Sequence, residues 1–131
     1  MVLTMKKILL VTLCLGMLGA CSSAVVTPEG AEASYSWVEG ALESVLAGAM
    51  PEVVEATTAT LTDLELVGID STVDGLKGKI TARMAVGTKV SIGLEAIDFE
   101  STSIRIKVGT FGDRSVALQI LRNVEKRLAS N

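Results

Sequence analysis

The chain has no histidine, and only two cysteines, two prolines, one tryptophan, one tyrosine and two phenylalanines among its 131 residues. Each scarcity removes a class of function. Without histidine the commonest general base, the commonest metal ligand and the usual switch near neutral pH are all missing. Aromatic residues at 3% are too thin for the stacking platforms that bind single-stranded nucleic acid. A formal net charge of −3 also turns the chain away from nucleic acid as a partner.

What is present begins with a marked N-terminal pattern. Lys6 and Lys7 precede an apolar and small-residue run from Ile8 to Ala20. That run is about 13 residues, roughly 20 Å as a helix, whereas a bilayer core needs about 20 residues. A positive start, a short apolar stretch and small residues before a break describe a secretory signal peptide, residues 1–20. It ends Leu18-Gly19-Ala20-Cys21, which resembles the bacterial lipobox. The resemblance implies cleavage before Cys21 and a lipid on that cysteine. The other reading is a plain signal peptide with an incidental cysteine.

Removal of residues 1–20 would leave 111 residues, enough for one small domain, and would shift the net charge from −3 to −5 with the loss of Lys6 and Lys7. Cys14 would leave with the signal and Cys21 would be acylated, so no thiol would remain for a disulfide, a metal or a nucleophile. No cofactor or metal is expected. Ser22 stands where an aspartate would resemble an inner-membrane retention signal. The expected location is therefore the cell envelope, on the inner leaflet of the outer membrane, facing the periplasm.

Residues 21–33 are small and aperiodic, with Pro28 and Gly30, and read as a flexible tether about 20 Å in r.m.s. span. Residues 34–131 read as a single domain. Tyr35 to Leu46 alternates as a strand. Pro51 suits a first helical turn, and Val53, Thr57, Thr60 and Leu64 then recur at helical spacing up to Glu65. The period changes to two over Leu66–Val73, Leu76–Ala85, Thr88–Ile97 and Thr102–Val108, with turns at Asp74-Gly75, Val86-Gly87 and Asp98–Ser101. A last helix follows Asp113, its expected N-cap, with Ala117, Ile120, Leu121, Val124 and Leu128 as its apolar stripe. The expected fold is α+β: an antiparallel sheet of four to five strands in β-α-β-β-β-β-α order, both helices on one face.

In this setting Pro51–Ala56 (P-x-x-V-x-x-A pattern), Gly87–Ile92 (GTKVSI) and Ile106–Asp113 (IKVGTFGD) resemble a family of uncharacterised bacterial lipoproteins, catalogued as a domain of unknown function. The resemblance runs from Cys21 to about Leu128. It implies a small envelope domain and brings no catalytic residues.

The charges are segregated: ten acidic and no basic residues from Cys21 to Leu76, then ten basic and five acidic to the end. Alternation places Lys77, Lys79, Arg83, Lys89, Arg105 and Lys107 on the wet face of the sheet, a candidate surface for an acidic or envelope partner. The competing reading is that Glu39 and Glu43 lie beside Arg105 and Lys107 and neutralise them. Two other constellations read as ordinary structure. Asp70, Asp74, Glu95, Asp98 and Glu100 would need a desolvated cleft to act as a glycosidase pair, and Ser103 with Lys107 lies on an open strand. Gly109–Asp113 would present amides to an anion, but Asp113 occupies that position, and Phe111 is expected to cap the core. The leading expectation is a lipid-anchored, non-enzymatic interaction or assembly module. The alternative is a binder of a small apolar or lipid ligand between sheet and helices, suggested by Ala56, Thr57, Thr60, Gly78 and Ala82. Oligomeric state is left open.

Overall fold

The computed structural model describes Val25–Val26 and residues 32–130. The expected signal peptide, Cys21 and most of the tether lie outside the described residues. The elements in chain order are β1 (Val25–Val26), β2 (Glu32–Ser36), β3 (Ala41–Ala47), α1 (Met50–Asp63), β4 (Val67–Asp74), β5 (Lys77–Arg83), β6 (Lys89–Ala96), β7 (Ser101–Val108) and α2 (Arg114–Ala129). The antiparallel sheet has six strands in the order β2-β3-β7-β6-β5-β4, and the two-residue β1 extends it beyond β2. The expectation of four to five strands is therefore corrected to six.

The extra strand comes from the first alternating segment. Tyr35 to Leu46 is not one strand but a hairpin, folded at a turn over residues 37–40 and closed by the Gly40 amide donating to the Ser36 carbonyl at 2.8 Å. Gly40 takes φ +64°, a left-handed conformation open to glycine at little cost. The turn also lies against the loop between β7 and α2. A Cβ on Gly40 would stand 2.7 Å from the Phe111 carbonyl oxygen, and one on Gly112 (φ +82°) would collide with the Gly40 backbone. Two loops thus touch backbone to backbone because neither glycine carries a side chain.

Strands β4 to β7 form a meander, each within two residues of its expected bounds. Its inner face is aliphatic. The register sets Leu42, Ile106, Ile92 and Ile80 side by side in one row across β3, β7, β6 and β5, all buried. β-Branched side chains suit such a pleated, packed surface. Both helices cover this face: α1 lies over β4 to β7 and α2 over β3 and β7, and they touch each other. Val53, Ala56 and Leu61 of α1 meet Ala117, Ile120, Leu121 and Val124 of α2 in the same core. At the outer edge, β4 carries an irregularity between Val67 and Asp70, with Gly68 at φ +62°.

The helix ends follow local chemistry. Pro51 opens α1, where its missing N–H would have been unpaired in any case. Thr57 and Thr58 donate their hydroxyls to the Val53 and Val54 carbonyls, which lets a threonine-rich helix face be buried. Asp113 caps α2 as expected, its Oδ1 accepting from the Val116 amide at 3.1 Å. Arg127 near the end of α2 forms an ion pair with Asp63 at the end of α1.

The glycines separate two kinds of substitution. Gly112→Ala meets both a left-handed backbone and a steric collision, so it is expected to lower stability by about 2 kcal/mol or more. Gly93 in β6 has open space around its missing Cβ, and Gly93→Ala is expected to change stability by less than about 1 kcal/mol, in the stabilising direction. Urea unfolding of the two variants beside the parent chain reads the contrast directly.

Candidate functional site

Parity along the strands puts the outward side chains in rows. One row runs Glu43, Arg105, Gly93, Lys79, Thr72; a second runs Ala41, Lys107, Ser91, Thr81, Asp70; a third runs Val45, Ser103, Glu95, Lys77, Asp74. Lys89 and Arg83 face each other one step beyond the second row. All six candidate cations are exposed on this open face. The sheet brings them together but does not make them equivalent.

Arg105 is held by two carboxylates, with Nη2 at 2.6 Å from Glu39 and Nη1 at 3.2 Å from Glu43. The expected pairing of Glu39 and Glu43 thus holds for Arg105. Lys107 faces Ala41 instead. Lys77 lies between Glu95 and Asp74 in register. Among the described residues, the only carboxylate ion pair formed by any of the six is that of Arg105. Lys79, Arg83, Lys89 and Lys107 make up an unpaired cationic group on β5, β6 and β7. Two shallow hollows flank it. One, of about 480 Å³, lies over Gly93 and is bordered by Ser34, Glu43, Ser103 and Arg105. The other, of about 540 Å³, lies between Lys89, Lys107, Gly109 and Phe111.

The remaining candidates fall out as structural residues. Asp98 Oδ1 accepts from the Glu100 amide at 2.8 Å in an exposed turn. Asp70 and Asp74 lie exposed on edge strand β4. Phe111 does not cap the core. It is 94% exposed, because Gly109 and Gly112, both at positive φ, turn the loop outward before Asp113 starts the helix. Between sheet and helices, Ala56, Thr57, Thr60 and Ala82 are buried. A Cβ on Gly78 would stand 3.1 Å from the Met50 terminal methyl, so the space over that glycine is filled.

Sequence reasoning missed a second class of surface residue. Trp37 (75% exposed) and Val38 in the β2–β3 turn, Val86 in the β5–β6 turn and Phe111 after β7 are all solvent-facing. The antiparallel order sets these three connections at one end of the sheet. Leu76, Ile97 and Phe99 are exposed at the other end, where Met50, Pro51 and Ala96 help line an apolar hollow of about 480 Å³. The available signal was scarcity: of only four aromatics after residue 20, two, Phe99 and Phe111, fall in expected turns or loops, while Trp37 falls in what reads as a strand.

The architecture is that of a small two-layer α+β domain with helices on one face of its sheet and polar side chains on the other. The chain belongs to the family described as "Protein of unknown function (DUF3568)", whose model matches residues 4–127. No curated protein matches the chain. Among the described residues no helix is long and apolar enough to cross a membrane.

Both partners in the Arg105 pairs are about half exposed, so solvent screens them. Arg105→Gln is expected to lower stability by less than about 1 kcal/mol, and the loss should shrink in 1 M salt, where the Debye length falls to about 3 Å. Paired denaturation curves at low and high salt check this.

Proposed function

We propose that this chain is a lipid-anchored envelope lipoprotein, a non-enzymatic interaction or assembly module held by an acylated Cys21 on the periplasmic side of the outer membrane. The observation that carries the reading is the N-terminal pattern. Lys6 and Lys7, a short apolar run and Leu18-Gly19-Ala20-Cys21 stand in the order that lipoprotein processing requires. Two acyl chains suffice for stable attachment, since each buried CH₂ contributes about 0.8 kcal/mol. Ser22 after the cysteine favours the outer membrane over the inner.

The domain beyond the anchor supports an interaction role through its open polar face. Lys89 and Lys107 border, with Ser91, the hollow beside Phe111, and Lys79 lies opposite Gly93; all three are unpaired and outward, where an acidic protein or other envelope partner would find complementary charge. The absence of histidine and of a thiol beyond Cys21 leaves few groups suited to nucleophilic or acid–base chemistry.

Cys21→Ser is expected to abolish incorporation of labelled palmitate and to leave an unprocessed precursor. Labelling that persists in the variant would remove the anchor from the reading. A photo-crosslinker at Ser91, with a control at the exposed Arg122 of α2, is expected to give a discrete protein adduct from Ser91 alone. Equal labelling from both sites would remove the polar face as the site of interaction.

A further inference from the structure

We propose that the end of the sheet formed by Trp37, Val38, Val86 and Phe111 docks into the leaflet that carries the chain's lipid anchor, with Arg83, Lys89 and Lys107 meeting anionic headgroups. This rests on the lipoprotein reading and adds an orientation and a second membrane contact to it.

The first support is the direction of the chain. β1 runs antiparallel to β2, with Val25 opposite Ala33 and Val26 opposite Glu32. Going backwards from Val26 to Val25 therefore moves along β2 towards Ser36 and the turn that holds Trp37. From Ala33 to Trp37 is four residues, about 13 Å at roughly 3.3 Å per strand residue. Cys21 is also four residues before Val25, a reach of about 13–14 Å when extended. An acyl group on Cys21 is thus within chain reach of the level of Trp37, and the leaflet that holds it is within reach of the tip.

The second support is the chemistry of that tip. Four large apolar side chains are exposed there, Val38 at 98% and Val86 at 83% among them. Trp37 is presented rather than loose: the Tyr35 ring meets it edge-on at 4.9 Å, and the Arg114 guanidinium lies 5.9 Å from its ring centre. Tryptophan with an apolar body and a polar N–H favours the membrane–water interface. Beside Phe111, Lys89 and Lys107 border the hollow of about 540 Å³, and Arg83 faces Lys89. Of the acidic residues at this end, Glu39 is paired with Arg105 and Asp113 caps α2, which leaves Glu65 and, on the edge strand in the row of Lys107, Asp70, against Arg83, Lys89 and Lys107.

The third support is the contrast with the opposite end. Leu76, Ile97 and Phe99 are as apolar, but Glu52, Asp74, Glu95, Asp98 and Glu100 accompany them, with Lys77 set between Asp74 and Glu95. An anionic leaflet would repel that end. Charge and chain direction select the same tip, and the polar face then stands beside the membrane, open to a partner.

Trp37 is the single tryptophan of the chain, so its emission reports on this tip alone. The full chain, purified with its native modification, would be reconstituted into phosphatidylethanolamine–phosphatidylglycerol vesicles, with and without lipids brominated near the headgroup end of their acyl chains. Flotation reads the anchor; quenching reads the tip. The expected result is that the protein floats and that brominated lipid lowers Trp37 emission about twofold or more, as for an interfacial tryptophan. A Val38→Asp, Phe111→Asp double variant, changed only at exposed positions and checked for folding by circular dichroism, should float equally and lose the quenching. Flotation without quenching overturns the docking and leaves the anchor standing, including the case where Trp37 emission shifts only with protein density, which would mark a second copy as the occupant. Quenching that survives in the double variant also overturns it. Failure to float overturns the anchor, and the docking falls with it.

Discussion

The row Leu42, Ile106, Ile92 and Ile80 constrains the rest of the molecule. Four buried aliphatic side chains stand side by side across four strands, and both helices rest on the face that they define. A slip of one residue in any of these strands would turn its apolar set to water and its charged side chains to the core. The row therefore holds the register of the sheet, and the order of charges on the other face follows from it. Arg105 lies beside Glu43, and Lys107 beside Ala41, because Ile106 between them must lie beside Leu42.

The second constraint is the meeting of Gly40 with Phe111 and Gly112. It joins the turn after β2 to the loop before α2 by direct backbone contact, with the Tyr35 hydroxyl closing on Gly112. A backbone contact so close leaves little room between the loops for anything besides that hydroxyl. Trp37 and Phe111 consequently point outward, and the interior is filled by Ile, Leu, Val, Ala and Thr. The lack of aromatics in the core and their presence at the tips are two aspects of one arrangement.

Much of this architecture was legible in the residues. The alternation of Leu76–Ala85, Thr88–Ile97 and Thr102–Val108 reports a local property, the two faces of a strand, and it placed β5, β6 and β7 and all six outward cations. The spacing from Ala117 to Val124 and the carboxylate of Asp113 did the same for α2. The hairpin of β2 and β3 was not legible, because the alternation of Tyr35 to Leu46 continues through the turn and only Gly40 marks the break. Which carboxylate reaches which cation was legible only in part: Glu39 and Glu43 were weighed as partners of Arg105 and Lys107, and they pair with Arg105 alone. Arg105 and Glu39 are 66 residues apart, and their pairing depends on β3 lying next to β7, a relation that no local period records. Phe111 was misjudged for a similar reason: its hydrophobicity suggested a core position, while the two positive-φ glycines around it set its direction.

The joint between β3 and β7 has a consequence for how the molecule is assembled. Strands β4 to β7 are consecutive, each linked to the next by a short turn, and little chain entropy is lost in closing those turns. β3 can join them only by closing a loop that contains α1 and the whole meander; the Thr102 hydroxyl that bonds the Gly48 carbonyl spans 54 residues. The loop-closure cost of the fold is concentrated at that one seam. The turn that carries Trp37 and the loop that carries Phe111 come together across the same seam, so the apolar tip is absent from any state in which the seam is open. A chain still folding would carry those side chains apart, and only the completed domain would bring them to one surface.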